Sequence, residues 1–130
     1  MKVKSGIIVN GLQTILNLSE KSMPIKLTAK LLRLADDLTK ENNFIEKQRR
    51  DIIEKYGDKD ENGELIITNG NVTFSNENLL KAQEDLNELS NLEVDIIDRE
   101  ITENELENAN LELTMNQFAI LRNFLHSEEE

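Results

Sequence analysis

Apolar residues recur at helical spacing along much of the chain, and the first such run follows Ser5. Four apolar positions are three or four residues apart and would share one face of a helix. They are Ile8, Leu12, Ile15 and Leu16. Ser5 is the predicted N-cap of this helix, because a serine oxygen can accept a hydrogen bond from a free backbone N–H of the first turn. Pro24 interrupts the pattern, since proline restricts the preceding residue and lacks an N–H donor.

A second, longer helix is predicted from about residue 26 to residue 56. Its apolar positions are spaced like those of a coiled-coil seam. The seam consists of Leu27, Leu31, Leu34, Leu38, Ile45 and Ile52. At 1.5 Å per residue the helix would be about 45 Å long, so its single apolar stripe needs another helix to cover it.

The partner of the long helix is predicted to begin after Ser75 or Asn76, since either residue can act as an N-cap. Its apolar positions again follow helical spacing. They are Leu79, Ala82, Leu86 and Leu89. About twenty residues link the two helices and return the chain to the same end, so the helices are expected to run antiparallel.

The link itself carries the signals of a β-hairpin. Gly57 is expected to end the long helix. Residues 65–68 and 72–74 are β-prone, and Asn69-Gly70 between them is a strong hairpin signal. An isolated two-stranded ribbon is marginal in water, so we expect this one to cap the helices beside it.

Three shorter elements remain. Residues 92–97 alternate loosely and are predicted to form a strand that pairs with residues 1–4. Thr102 and Thr114 each open a capping box, in which a side chain and the backbone satisfy each other's free groups, so each should start a helix. The last helix has an apolar face that is expected to dock on the first helix. That face consists of Phe118, Leu121, Phe124 and Leu125. Residues 126–130 are expected to fray.

Together these elements predict one α+β domain, mainly α, that spans residues 1–130. It is a long antiparallel helical hairpin capped by a β-hairpin, with short N- and C-terminal helices. The chain has no cysteine and one histidine, His126, which excludes disulfides, thiolate zinc sites and histidine metal clusters. We therefore predict no metal and no cofactor.

Charge changes the functional picture, because the net charge of −11 is unevenly distributed. Residues 1–56 carry eleven Lys and Arg and seven Asp and Glu, whereas residues 57–130 carry four and nineteen. The acidic half would repel nucleic-acid phosphate, so direct nucleic-acid binding is not expected. It would instead attract a protein with a basic surface. The alternative is that these carboxylates only keep a small helical protein soluble.

The N-terminal ten residues contain only a short apolar run at residues 7–9. That run is too short for a signal-peptide core or a membrane span. The expected location is the cytoplasm, with no membrane contact.

Several segments resemble a family of small proteins of unknown function from tailed phages and prophages of Gram-positive bacteria. The matching segments are residues 1–4, 23–27, 53–57, 58–65, 86–94 and 113–114. The resemblance implies a phage accessory protein in the cytoplasm of an infected host cell. It implies no active site.

The sharpest chemical motif is residues 58–65, which copies the first eight positions of a calcium loop. Position twelve is Asn69 instead of the usual glutamate, so the motif is predicted to be a polar turn whose Asp and Asn side chains bond their own backbone. A calcium-dependent module is the alternative.

No catalytic residue is predicted, and the chain is expected not to be an enzyme. The carboxylate pairs Asp36 with Asp37 and Asp95 with Asp98 are expected to face solvent, since acid–base work needs a pocket that separates their pKa values. His126 is likewise expected to be an exposed side chain.

A basic cluster near the end of the long helix is expected to form ion pairs within that helix, because acidic residues are interleaved with it. The cluster consists of Lys47, Arg49, Arg50 and Lys55. The candidate partner-binding residues are acidic and lie further along the chain. They are Glu84, Asp85, Glu88, Glu100, Glu103, Glu105, Glu107 and Glu112.

These observations favour a non-enzymatic accessory protein that binds a host or phage protein with a basic surface. Such binding would inhibit a host system for nucleic-acid handling or defence, and an ordered acidic face would imitate phosphate. The alternative is a virion-assembly component or chaperone that self-associates through its helices as a homo-oligomer. Exposure of Phe44, Ile53 or Phe118 would favour that alternative.

Overall fold

The computed structural model describes residues 1–126, and its elements have the predicted α+β, mainly α character. The helices are α1 (Ser5–Asn17), α2 (Ile25–Tyr56), α3 (Asn76–Asn91), α4 (Glu103–Asn108) and α5 (Met115–Leu121), with a 3-10 turn at Arg122–Phe124. The strands are β1 (Lys2–Lys4), β2 (Ile67–Thr68), β3 (Asn71–Val72) and β4 (Glu93–Asp95). Of the segment that was expected to fray, residues 127–130 lie outside the described residues.

The long helix α2 is covered by two helices, not by one. Five of its six predicted seam residues are buried, from Leu27 to Ile45, and Ile52 is half-buried. Helix α3 has 16 residues against the 32 of α2, so it can cover only half of the seam. Its leucines Leu86 and Leu89 line a cavity with Ile45, in the C-terminal half of α2.

The N-terminal half of α2 packs against α1, which runs antiparallel to it. Gly11 lies over Leu38, and Ile15 shares a cavity with Leu31. The prediction that α3 alone covers the apolar seam of α2 was therefore wrong, because α1 covers the N-terminal half of that seam. Ala82 is the one residue of the predicted α3 stripe that is fully buried, while Leu79 keeps 39% of its area exposed.

Two expectations for α1 were also wrong. Ser5 is its first helical residue and not its N-cap, because its hydroxyl and its backbone N–H both donate to the carbonyl oxygen of Leu92. Leu16 was placed on the core face but is 53% exposed. The buried face of α1 has the predicted helical period but is rotated around the helix from the predicted face. Its residues are Ser5, Ile8, Gly11, Thr14 and Ile15.

The predicted pairing of the chain's start with residues 92–97 is confirmed. Strands β1 and β4 are antiparallel, with Val3 opposite Val94. The amino group of Met1 donates to the carbonyl oxygen of Ile96 at 2.8 Å. This two-stranded sheet ties the start of α1 to the end of α3.

The predicted hairpin is also confirmed, with shorter strands than the β-prone runs suggested. Ile67 pairs with Val72, and Asn69-Gly70 forms the turn with φ of 53° and 81°. Positive φ at both turn residues matches the right-handed twist of the strands, and glycine adopts it without strain. Because Leu65 and Val72 pack against Gly57, the hairpin caps the end of α2.

Both predicted capping boxes form, and the C-terminal helix docks on α1 as expected. Thr102 and Thr114 each accept the N3 backbone N–H of their helix, and the N3 side chain bonds back to the N-cap N–H. Leu121 and Phe124 are each 2% exposed. A Cβ added at Gly11 would lie 2.4 Å from the Phe124 ring, so the glycine allows α1 and the C-terminal turn to approach closely.

Candidate interaction surface and its polar anchor

The segment between β4 and α4 is attached to α2 by a bidentate ion pair. Arg99 donates from Nε to Oδ2 of Asp37 at 2.7 Å and from Nη2 to Oδ1 at 2.8 Å. This geometry is stronger and more directional than a single charged contact. The hydrogen bonds that Arg99 donates to Asp37 raise the pKa of Arg99 above its ordinary value.

A second ion pair attaches the start of α4. Lys30 Nζ lies 2.7 Å from Glu105 Oε1 and also donates to the carbonyl oxygen of Glu100 at 2.9 Å. The same Glu105 oxygen accepts the backbone N–H of Thr102, which closes the capping box. The Lys30 hydrogen bond, with help from Thr102, lowers the pKa of Glu105.

A third contact joins this segment to the last described residue. Asp98 Oδ2 lies 2.5 Å from His126 Nδ1, and Asp98 Oδ1 accepts the backbone N–H of Glu100. The backbone N–H of His126 donates to Ile101 at 2.7 Å. The hydrogen bond with His126, followed by that with Glu100, lowers the pKa of Asp98.

These contacts correct two predictions. His126 is not simply an exposed side chain, because both its ring and its backbone are bonded. Asp37 was expected to face solvent, but it is half-buried and accepts both hydrogen bonds from Arg99. Asp98 is exposed as expected and contacts His126. Their pair mates Asp36 and Asp95 are exposed as expected.

We call the six residues of these contacts the polar anchor. They are Lys30, Asp37, Asp98, Arg99, Glu105 and His126. Sequence reasoning missed this set, because its contacting pairs are up to 75 residues apart in the chain. One signal was present: Arg99 is the only cationic side chain between Lys81 and Arg122, which marks it as a candidate for pairing.

The structure separates the predicted partner-binding residues into two groups. The α3 group consists of Glu84, Asp85 and Glu88, beside the C-terminal half of α2. The α4 group consists of Glu100, Glu103, Glu107 and Glu112, around α4, which is attached near Lys30. Lys30 and Ile45 are 15 residues apart on one helix, so the two groups lie about 20 Å apart along it.

The members of these groups differ in how free they are to meet a partner. Glu105 also belonged to the predicted set, but its carboxylate is engaged by Lys30 and Thr102. Asp85 is half-buried, and the remaining six residues are exposed. Within residues 1–126, no carboxylate of the α4 group takes part in an ion pair.

The α4 group borders a shallow depression between α4 and α5. Apolar side chains form its floor, and two carboxylates of the α4 group stand at its edge. Its lining consists of Glu103, Leu106, Glu107, Leu111, Leu113 and Phe118. This surface combines negative charge with a small apolar contact area, which suits a partner residue with both apolar and cationic character.

The calcium-like segment forms the predicted polar turn. Asp60 Oδ1 accepts the backbone N–H groups of Asn62 and Glu64, and Asp58 Oδ1 accepts that of Ser75. Gly63 has a positive φ of 79° at the tightest point. These bonds hold the two aspartates against the backbone of their own turn and of the α3 N-terminus.

The basic cluster of α2 shows one of the expected intrahelical pairs. Arg49 Nη1 lies 3.9 Å from Glu46 Oε1, and both side chains are largely exposed. Lys55 Nζ lies 5.0 Å from the centre of the Tyr56 ring. Contacts of this exposed kind are weak, because water screens the charges.

Within residues 1–126, no group of three or more His, Asp or Glu side chains is arranged to hold a metal ion. In the same residues, every helix is too short or too polar to span a lipid bilayer. Comparisons with protein-family models, with curated proteins and with solved structures each returned no match.

Proposed function

We propose that this chain is a non-enzymatic phage accessory protein that binds a basic surface of a host protein through its α4 group. The bound host protein would belong to a system for nucleic-acid handling or defence, and binding would occlude the surface that normally meets phosphate. The proposed setting is the cytoplasm of an infected cell.

One observation carries this proposal: the exposed carboxylates of the α4 group stand on a segment fixed by the polar anchor. Arg99 and Glu105 are bonded to α2, and Ile101 and Leu106 between and after them are 1% and 4% exposed. A surface fixed in advance loses less conformational entropy on binding than a flexible acidic tail. Negative charge on such a surface also steers a basic partner toward it.

The test is capture of partners from a host lysate by the wild-type protein and by two charge-matched variants. The first variant carries Glu103→Gln, Glu107→Gln and Glu112→Gln. The control carries Asp51→Asn, Glu54→Gln and Glu61→Gln, which neutralise the same number of exposed carboxylates elsewhere. Each captured protein is then purified and its affinity for all three proteins is measured at low and high salt.

We expect the first variant to lose affinity while the control keeps it, because only the first lacks three of the four charges of the α4 group. Binding should weaken with salt, as screening of exposed charges requires. An equal loss of affinity in both variants would mean that binding depends on the net charge of the protein and not on the α4 group. That result, or the absence of any captured protein at either salt concentration, would contradict the proposal.

A second function, a self-associating assembly component or chaperone, is supported by exposed apolar side chains. Phe44 is 50% exposed, whereas Ile53 and Phe118 are half-buried. Exposed apolar area of this kind favours contact between copies of a protein.

A further inference from the structure

Helix α1 has no charged residue although it is 13 residues long. Charged residues make up 32% of the chain, yet the 13 residues of α1 include none. The side that faces away from the core is uncharged as well. Its exposed residues are Val9, Asn10, Gln13, Leu16 and Asn17. A solvent-facing helix surface is normally rich in charge, so this one requires an explanation.

The uncharged side of α1 continues onto α2 through an apolar groove. Leu16 and Leu32 line the groove and are 53% and 61% exposed. The groove has a volume of about 200 Å³. Ile15, Leu31 and Ala35 also line it, and Lys21 is the one charged residue in its lining. We call this surface the α1–α2 face. It consists of Leu16 and Leu32 in the groove, together with the exposed residues Val9 and Gln13 earlier in α1 and Ile25 at the start of α2.

The exposed apolar residues of this face follow a regular spacing. Val9 precedes Leu16 by seven residues, and Ile25, which is 86% exposed, precedes Leu32 by seven. Residues seven apart lie on the same side of a helix. The face is thus a two-helix apolar surface of the kind that pairs with two further helices in a four-helix arrangement.

We propose that the α1–α2 face binds a second copy of this chain and forms a symmetric dimer. Two copies, each with a net charge of −11, repel one another overall, and most strongly through their acidic C-terminal halves. They can approach closely where charge is absent, and α1 provides that surface. A basic partner would find no counter-charge on α1, so charge complementarity favours another copy over such a partner.

The size of the face indicates a weak, reversible dimer. Two helices side by side, each about 10 Å wide and about 20 Å long over this stretch, present about 400 Å² in projection. Stable interfaces bury about 800 Å² on each partner, so a face of this size fits a transient association. Lys21 lines the groove, and Glu20 and Asp36 are exposed close to it in the sequence, so charged residues of both signs border the face.

Sedimentation velocity from about 10 µM to about 1 mM tests this proposal on the full chain. The test variants are Leu16→Glu and Leu32→Glu, which place a charge on the face at exposed positions. The control is Leu80→Glu, at a residue of α3 that is 68% exposed. Circular dichroism of all proteins checks that each variant keeps its helix content.

The wild type and the Leu80→Glu variant are expected to shift from monomer to dimer with concentration, while both face variants stay monomeric. Salt should strengthen the wild-type dimer, because it screens the repulsion between the acidic copies. A wild type that is monomeric throughout, or a dimer that Leu80→Glu abolishes and Leu16→Glu leaves intact, would overturn the proposal.

The dimer does not depend on the α4 group, and it would supply the contact that the second function needs. The two proposals also respond oppositely to salt, since capture by the α4 group weakens as salt rises. Their failures are therefore distinguishable: loss of partner capture concerns the α4 group, and loss of concentration-dependent sedimentation concerns the α1–α2 face.

Discussion

Arg99 binds both carboxylate oxygens of Asp37, a residue 62 positions earlier in the chain. The Asp37 side chain is 14% exposed and that of Arg99 is 26% exposed, so the pair is only partly screened by water. It fixes the segment that carries the α4 group to the central helix. The orientation of the acidic surface therefore depends on this contact, together with the Lys30–Glu105 and Asp98–His126 contacts.

Replacing Asp37 with Asn should lower the urea midpoint of unfolding, because Arg99 would keep its charge and lose its bidentate partner. Arg99→Lys should have a smaller effect, since it retains a charge but makes only a single contact. Glu46→Gln is the matched control, as it removes a longer and more exposed ion pair with Arg49. Equal urea midpoints for Asp37→Asn and Glu46→Gln would show that the Asp37–Arg99 pair adds no more stability than the exposed Glu46–Arg49 pair.

Gly11→Ala should destabilise the fold by about 1–3 kcal/mol, because the new methyl group overlaps the Phe124 ring and forces repacking. Gly6→Ala in the same helix is the control. Its Cβ would lie 3.5 Å from the carbonyl oxygen of Ser90, an ordinary contact. There the better helix propensity of alanine should leave stability unchanged or raise it by up to about 1 kcal/mol.

Chemical denaturation of both glycine variants gives the comparison. A further variant, Gly11→Ala with Phe124→Leu, should recover part of the loss if the clash with the ring is its cause. A Gly11→Ala protein as stable as the wild type would mean that α1 and the C-terminal turn are not packed this closely.

Acid should weaken the fold through Asp98 and Glu105. The pKa of each is lowered in the folded protein, so the folded state binds fewer protons than the unfolded chain. Their contribution is fully present above the ordinary values of 3.8 and 4.5 and is lost as the pH falls through the lowered values. Thermal midpoints measured from about pH 5 to about pH 3 should show this decline.

The variant Asp98→Asn with Glu105→Gln should show a shallower decline over the same pH range, because its side chains no longer release protons on folding. Asp51→Asn with Glu54→Gln serves as the control and should keep the wild-type slope. Identical slopes in all three proteins would show that the polar anchor does not govern acid stability.

Loss of either capping box should cost about 1 kcal/mol, as is usual when alanine replaces a threonine N-cap. Thr102→Ala should also free Glu105 from the backbone, and thereby loosen its contact with Lys30. Hydrogen exchange should then rise across α4 in Thr102→Ala and across α5 in Thr114→Ala. A Thr102→Ala variant whose α4 amides exchange as slowly as those of the wild type would contradict this local role.

The elements whose signals are local were predicted from the sequence. The Asn69-Gly70 turn, the two threonine capping boxes and the period of α2 each depend on residues within one or two turns of each other. Local rules of backbone geometry therefore suffice to place them. The pairing of β1 with β4 was also predicted, because the sequence offered few other strands with which either of them could pair.

The sequence did not predict which surfaces meet. The helical period of α1 was predicted correctly, but the side of the helix that faces the core was not. Leu16 was therefore assigned to the core, while the structure exposes it. Periodicity gives the angles between residues on a helix and leaves the direction of the core to the neighbouring elements. For the same reason, α3 was predicted to cover the whole apolar seam of α2, whereas the structure shows that α1 and α3 each cover a part of it.

The sequence by itself determined the length of the long helix, the hairpin turn, the two threonine caps and the excess of negative charge in the C-terminal half. Only the tertiary structure decided that Lys30 and Asp37 hold the acidic segment, and that the α4 group stands on a fixed support. Those contacts join residues far apart in the chain. Their partners are selected by how the helices pack in space, a relation that no local pattern of residues encodes.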